Sequence, residues 1–320
     1  MNELGYNVDI INYTYLKNID SSKYDLIVGF GNIFDRIFEG KLKAKTIYYG
    51  TGMHVCHQNH ATLKRLKDVY TKKGIYLSKS VRYVEKTWTY QTYLVDAIIT
   101  LGNEVAVESY RKYYDGPIFS IPTPFYRVLN AYEFLERRNI KKGFLWFGSS
   151  GLIHKGLDLV LEFFSSHPDL ELHICGPIDN EPEFKEVYRK DLYETPNIHT
   201  HGFVDITSKK FKEILENCSF VIFPSCSEGG SPSVITAIGN GALIPIITIE
   251  TTISTGYEIW IEDFTVKAIE NAVDKALQLS DNEILELRRK NLDYVLKNHT
   301  QEVYYDRLKK AYMEILDNDL

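Results

Sequence analysis

Residues 225–248 read SCSEGGSPSVITAIGNGALIPIIT. Glu228 and a Gly-Gly-Ser turn stand directly before an apolar run of small residues, which breaks at Gly241 and is followed by Pro245. The stretch reads as strand exit, helix and next strand: Phe220–Phe223 is a strand, Pro224–Ser227 its exit, Gly229–Ser233 the start of a helix, and Ile244–Thr248 another strand. Such a unit belongs to a parallel sheet with crossover helices. Glu228 then falls beyond the C-terminal end of a strand, where open parallel sheets bind ligands.

Working outward, short apolar runs alternate with longer segments of helical period along the whole chain. In the first half Val8–Asn12, Asp25–Phe30, Thr46–Tyr49, Ala97–Leu101 and Ile118–Ile121 read as strands; in the second, Gly143–Phe147, Glu171–Cys175 and Ile198–Thr200 join the two already named. This predicts an α/β protein of two doubly wound domains, 1–135 and 136–320, joined through the charged segment NAYEFLERRNIKK (130–142), a linker with some helical character. Two helices close the chain, the first capped at Ser280 and Asp281. The start, MNELGYNVDII, reads as a helix end, a Gly5 C-cap and a strand, so the first domain is expected to be shortened at its N-terminus.

Composition bounds the function. A length of 320 residues suits two domains, and 44% hydrophobic with 25% charged residues is ordinary for a globular protein. A net charge of −6 argues against nucleic acid as a partner, which calls for a basic face. The cluster Lys64, Arg65, Lys67, Lys72 and Lys73 reads as a solvated helix face, or as an anchor. Cys56, Cys175, Cys218 and Cys226 lack C-x-x-C spacing and read as free thiols. No run of about 18 apolar residues exists. The expectation is a cytoplasmic protein, with room for peripheral contact at the inner face of a membrane.

The loops after the second-half strands carry the candidate chemistry. Gly148, Ser149, Ser150 and Gly151 form a polar turn after one strand, and Lys155-Gly156 open the next helix; this suits an anion such as a diphosphate, or leaves Lys155 on a surface turn. Gly176 in ICGP allows close approach to the backbone. Glu228 either accepts hydrogen bonds from sugar hydroxyls, with the N–H groups of Gly229, Gly230 and Ser231 holding phosphate or sugar oxygens, or steadies the helix N-terminus. His199 and His201, two apart, read as structural, and no metal site is expected.

The ordered set Gly148…Lys155-Gly156…Asp158, Cys175-Gly176-Pro177, His201-Gly202-Phe203-Val204 and Pro224-Ser225…Glu228-Gly229-Gly230…Gly241…Pro245 resembles the second domain of the retaining "group 1" glycosyltransferases of family 4, which have the GT-B fold of two Rossmann-like domains facing a cleft. It covers about residues 143–316; DAIITLGNEVAVES from Asp96 is more loosely similar to the segment before the linker. In that family a lysine and an arginine grip the donor diphosphate, and two glutamates eight positions apart meet the donor sugar and the ribose. Lys155 matches the lysine and Glu228 the first glutamate. Ser149 or Ser150 stands where the arginine is expected, and Thr236 replaces the second glutamate, losing a bidentate carboxylate.

The resemblance implies transfer of a sugar from a nucleoside diphosphate sugar, bound as a substrate with no cofactor, to an acceptor hydroxyl with retention. A glycan or lipid-linked acceptor and a role in cell-surface polysaccharide assembly are the family's expectation. Ser231, Ser233 and Ser150 are read as substitute donors of hydrogen bonds. In the first domain His54, after Gly50-Thr51-Gly52, is first read as meeting the donor sugar, next as a structural polar residue, and last as part of a metal site with His57 and His60. Gly52 and Asn103 are read as acceptor-side, with Gly31 and Asn32 lesser candidates. An epimerase on the same frame and a degenerate, non-catalytic relative are the alternatives.

Overall fold

The computed structural model describes residues 1–15, 17, 19–39, 42–84, 87–136 and 139–317, with the side chains of 87–90 left out. Arg137 and Arg138 of the linker lie outside the described residues, and before them Ala131–Phe134 form a turn of 3-10 helix.

Two parallel sheets result. The first holds β1 (Leu26–Gly29), β2 (Lys45–Gly50), β3 (Ala97–Leu101) and β4 (Ile118–Ile121) in sequential order, with α1 (Asn32–Arg36), α2 (Val55–Lys73), α3 (Thr87–Leu94) and α4 (Glu104–Arg111) in the connections. The second sheet is ordered β10-β9-β8-β5-β6-β7, from β5 (Gly143–Phe147), β6 (Leu172–Cys175), β7 (Ile198–Gly202), β8 (Cys218–Phe223), β9 (Ile244–Ile247) and β10 (Ile259–Trp260). Its helices are α5 (Leu157–Phe164), α6 (Pro182–Val187), α7 (Arg189–Tyr193), α8 (Lys209–Glu216), α9 (Pro232–Gly241), α10 (Val266–Leu277) and α11 (Asp281–Asn298), and α12 (Gln301–Asp317) ends the described chain.

Every residue of β8 and β9 is buried, as expected for inner strands of a sheet covered on both faces. The strand expected at Val8–Asn12 is absent. Its residues are exposed, Ile10 at 95%, and they pair with no strand, so apolar composition there is not matched by a ladder to join. Gly5 does adopt the left-handed conformation, φ 86°, closing a short 3-10 turn. The expected cap at Ser280 is a full capping box with Glu283. Among the described residues no helix is long and apolar enough to cross a membrane.

Right-handed crossovers place the connections of a sequential parallel sheet on one face. The other face of the first sheet is covered from the far end of the chain: Ala311, Tyr312 and Ile315 of α12 pack against Ile47, Ala97, Ile99 and Ile121. The exchange runs both ways, because Leu66 and Val69 of α2 join the core of the second sheet. The reading of a solvated basic face on α2 holds for Lys64, Lys67, Lys72 and Lys73, which are exposed, and is corrected for Arg65. Arg65 is buried and bonds Asp158 of α5 at 2.6 Å, both side chains 2% exposed, while Lys72 and Lys73 pair with Glu162 at 2.9 and 3.8 Å.

Removing one partner of a buried ion pair strands a charge, whereas replacing both removes the desolvation cost as well. Asp158→Ala should therefore destabilise the protein by about 3–5 kcal/mol in urea titration, and Arg65→Met with Asp158→Leu should recover most of that loss. A double variant no more stable than Asp158→Ala would contradict this reading.

Candidate active site

The strand order of the second sheet reverses between β5 and β8, and the loops leaving these neighbours diverge into a crevice beyond their C-terminal ends. Lys155 arrives from the β5 loop and Glu228 from the β8 loop. Lys155 Nζ donates to Glu228 Oε1 at 2.5 Å, both side chains no more than 6% exposed, and the same oxygen accepts from Ser225 Oγ at 2.8 Å.

Local backbone needs explain the glycines. Gly156 has φ 67°, and a Cβ there would lie 2.4 Å from the Pro224 carbonyl, so only glycine lets the turn carrying Lys155 pass the β8 exit. Gly148 and Gly176 pack on Trp146, whose Nε1 donates to the Lys155 carbonyl at 3.2 Å. Ser149 and Ser150 are exposed at the crevice rim. Glu181 bonds the N–H groups of Gly151 and Leu152 at 2.5 and 3.1 Å, so a carboxylate of the chain already occupies those two donors.

The first domain closes over this crevice. A Cβ on Gly229 would stand 2.3 Å from the Thr51 carbonyl and 2.8 Å from Gly52 Cα; one on Gly230 would stand 1.9 Å from Thr123 Oγ1. Thr123 Oγ1 donates to the Gly229 carbonyl at 3.0 Å, and Gly230 N–H to Thr252 Oγ1 at 2.6 Å. Ser231, the cap of α9, is buried at φ 35°, and its hydroxyl donates to the Thr251 carbonyl. Thr236 lies half-buried on the same helix. Asn103 caps α4 and its N–H donates to the Thr252 carbonyl at 2.9 Å, while Gly52 accepts from Tyr110 Oη. Gly52 and Asn103 thus lie on the seam between the domains. Gly31 caps α1 instead, bracketed by the Gln91 amide.

The reading of His54 at the donor sugar is corrected. His54 caps α2, is fully buried, accepts from Cys56 N–H at Nδ1, donates from Nε2 to Thr92 Oγ1 and stacks on Tyr113. Burial, then His57, pushes its pKa down to about 4, so it is neutral at pH 7. His57 reaches across the seam to Glu250 at 2.8 Å, and His60 is exposed, so the three do not converge. On β6 and β7, His201 stacks on His173 and His199 lies tilted against it. Among the described residues no group of three or more metal-binding side chains occurs.

Sequence reasoning missed two seam residues. His154, also neutral because burial takes its pKa to about 3, donates from Nε2 to the Ser227 carbonyl and accepts at Nδ1 from Thr62 of α2. Arg82, between α2 and α3, brings Nη1 to 3.8 Å from Glu228 Oε1. Adjacency of His154 to Lys155 was a signal for the first; nothing local marks the second.

Burial alone would raise the Glu228 pKa, but Lys155 first and then Arg82 outweigh it and hold it at about 2. Burial lowers that of Lys155 against the pull of Glu228.

Two facing sheets, joined by a crossing C-terminal helix and holding a lysine and a carboxylate at the switch point of the second, define a GT-B fold. Solved structures agree. The chain is similar to TarM (TM-score 0.60, 16% identity, 92% of this chain and 55% of that one). It is also similar to the pneumococcal O-GlcNAc transferase GtfA, solved with UDP and GlcNAc (0.58, 19%, 90% and 56%). A third likeness is α,α-trehalose 6-phosphate synthase from Burkholderia multivorans (0.61, 9%, 92% and 72%). The chain thus spans little more than half the length of the first two. No curated protein matches it in sequence. The model of the family "Glycosyl transferases group 1" matches residues 134–294, half of the chain, and the chain belongs to that family.

A carboxylate whose folded pKa is depressed contributes stability that is complete above its unfolded value and lost as pH falls through the folded one. With Glu228 near 4.5 unfolded and about 2 folded, its contribution should hold from pH 7 to pH 5 and fade below about 4.5. Urea titrations across that range should show the gap between wild type and Glu228→Gln narrowing only in acid. A gap that stays constant down to pH 3 would contradict the pairing.

Proposed function

We propose that the protein transfers a sugar from a nucleoside diphosphate sugar to an acceptor hydroxyl, with retention, in the crevice where Lys155 and Glu228 meet. The observation that carries this reading is the buried Lys155–Glu228 pair at the switch point of the second sheet, in a chain of the group 1 family.

On donor binding Lys155 leaves Glu228 for the diphosphate and neutralises charge growing on the leaving group, an electrostatic contribution that is large in a water-poor site. Glu228, released, accepts from the sugar hydroxyls. Gly148, Ser149, Ser150 and Gly176 line the phosphate and nucleoside side; Gly229, Gly230 and Ser231 form the turn that carries Glu228 to the sugar side, with Gly230 N–H and the Ser231 hydroxyl engaged by Thr252 and Thr251. Thr236 offers the ribose one hydroxyl where the family pattern has a carboxylate. Gly52 and Asn103, on the seam, face a glycan or lipid-linked acceptor. Cell-surface polysaccharide assembly on the cytoplasmic side of a membrane is the setting we propose. His54 takes no part beyond holding α2.

Transfer needs no protein nucleophile in a front-face mechanism, and exclusion of water by the first domain protects the donor from hydrolysis. UDP, held by the GtfA structure, is the first donor base to try.

A panel of UDP-, GDP- and ADP-sugars with purified protein tests the reading by donor turnover and acceptor product. With the productive donor, Lys155→Ala should lower kcat/KM by about 10²–10³. Glu228→Gln should also lose turnover, and Thr236→Glu should tighten the donor. Product epimerised without any acceptor would favour an epimerase; donor binding without turnover, a degenerate relative; and neither binding nor turnover on any donor would overturn the proposal.

A further inference from the structure

Arg82 belongs to an irregular stretch of the first domain just after the 3-10 turn Ser78–Ser80, yet its side chain enters the crevice of the second. Its Nη1 is buried and has no hydrogen-bond partner. Glu228 Oε1 lies 3.8 Å away, beyond hydrogen-bond reach, and that oxygen is already engaged by Lys155 and Ser225. Two cations therefore face one carboxylate that only one of them bonds. A buried guanidinium N–H aimed at an occupied oxygen is a donor held ready for a different acceptor.

The path of the side chain is built for. Arg82 Cδ lies 3.2 Å from where a Cβ on Gly151 would stand, and Gly151, at φ 93°, has none. Arg82 also walls a cavity of about 600 Å³ together with Lys79, Ser149, Ser150, Gly151 and Glu181. Ser149 and Ser150 thus face, across that space, the positive charge which they do not themselves supply. Arg82 and Lys155, from opposite domains, converge on one oxygen of Glu228.

We propose that Arg82 is a second donor-gripping cation, contributed by the first domain, which bonds the diphosphate group from the side opposite Lys155. The assignment rests on the transferase reading for the identity of the anion. A planar guanidinium offers two parallel N–H donors to phosphate oxygens, which a lysine does not. Because this cation comes from the facing domain, the anion would be clasped between the domains as well as held on the second.

Inorganic pyrophosphate isolates this role from base and sugar. Calorimetric titration should show pyrophosphate binding weakened at least tenfold by Arg82→Gln, with Arg82→Lys intermediate. The melting temperature of the free proteins reports whether the variants fold. Independently of any variant, pyrophosphate should protect Arg82 of the wild-type protein from an arginine-specific dicarbonyl reagent, read by peptide mass spectrometry. If Arg82→Gln binds pyrophosphate as wild type does while Lys155→Ala loses it, the Arg82 assignment falls and the transferase site stands. Equal modification of Arg82 with and without saturating pyrophosphate overturns the assignment even if Arg82→Gln does not fold. A wild-type protein that binds no pyrophosphate overturns it together with the diphosphate reading of the crevice.

Discussion

Gly229 and Gly230 set how near the two sheets can come. Either residue with a side chain would drive a Cβ into Thr51 or Thr123 of the facing domain, at distances no real contact shows. With both Cβ atoms absent, the β2 and β4 exits of one sheet rest directly on the β8 exit of the other. Lys155 and Glu228 are buried by that approach, and burial gives their attraction its strength: unit charges at this separation interact far more strongly in a low-dielectric site than in water. The Gly-Gly turn is thus a steric condition for the electrostatics of the crevice.

The seam is not uniform. On the α2 side it is buried and pinned, with Arg65 on Asp158 at 2.6 Å, Thr62 on His154 at 2.7 Å and the α2 leucine and valine in the second core. Parting the domains there would separate a buried ion pair and expose apolar surface. On the Arg82 side Leu77 enters the second core and Lys79 N–H donates to Glu183 at 3.0 Å, while Arg82 itself makes a 3.8 Å approach without a hydrogen bond, beside a cavity lined by polar groups. The crossing helix α12 and the Asn240 amide, which accepts from the N–H groups of Val128 and Leu129, tie the connecting segment on both sides of the seam.

The second domain was legible because its signals are local. Fully buried parallel strands bounded by glycine, proline or polar residues can be read one by one, and the loops that follow them fall in order, so Lys155 and Glu228 could be brought together before any distance was known. What failed was what depends on partners remote in the chain. Val8–Asn12 has the composition of a strand and no ladder beside it. Arg65 resembles part of the solvated face that Lys64, Lys67, Lys72 and Lys73 do form, until Asp158, some ninety positions on, is set against it. His54 stands at the expected strand end, but a histidine before a helix can satisfy its ring as a cap, and Thr92 and Tyr113 complete that pocket. Arg82 sits in an irregular stretch, and no local periodicity reveals where such a side chain goes.

The two departures from the family pattern bear on one another through charge. The pattern the chain resembles balances two cations with two carboxylates in the second domain. Here that domain keeps one of each, Lys155 and Glu228, and they neutralise one another at 2.5 Å. Arg82 adds a positive charge from outside the domain, and the Glu181 carboxylate, which lines the same cavity, is engaged by the N–H groups of Gly151 and Leu152. On the donor site we propose, a nucleotide would gain more from its phosphates than from its ribose, since Thr236 offers one hydroxyl in place of a fork of two oxygens. On that proposal Thr236 and Arg82 push in the same direction: selectivity would rest less on the nucleoside than on the anionic group it carries.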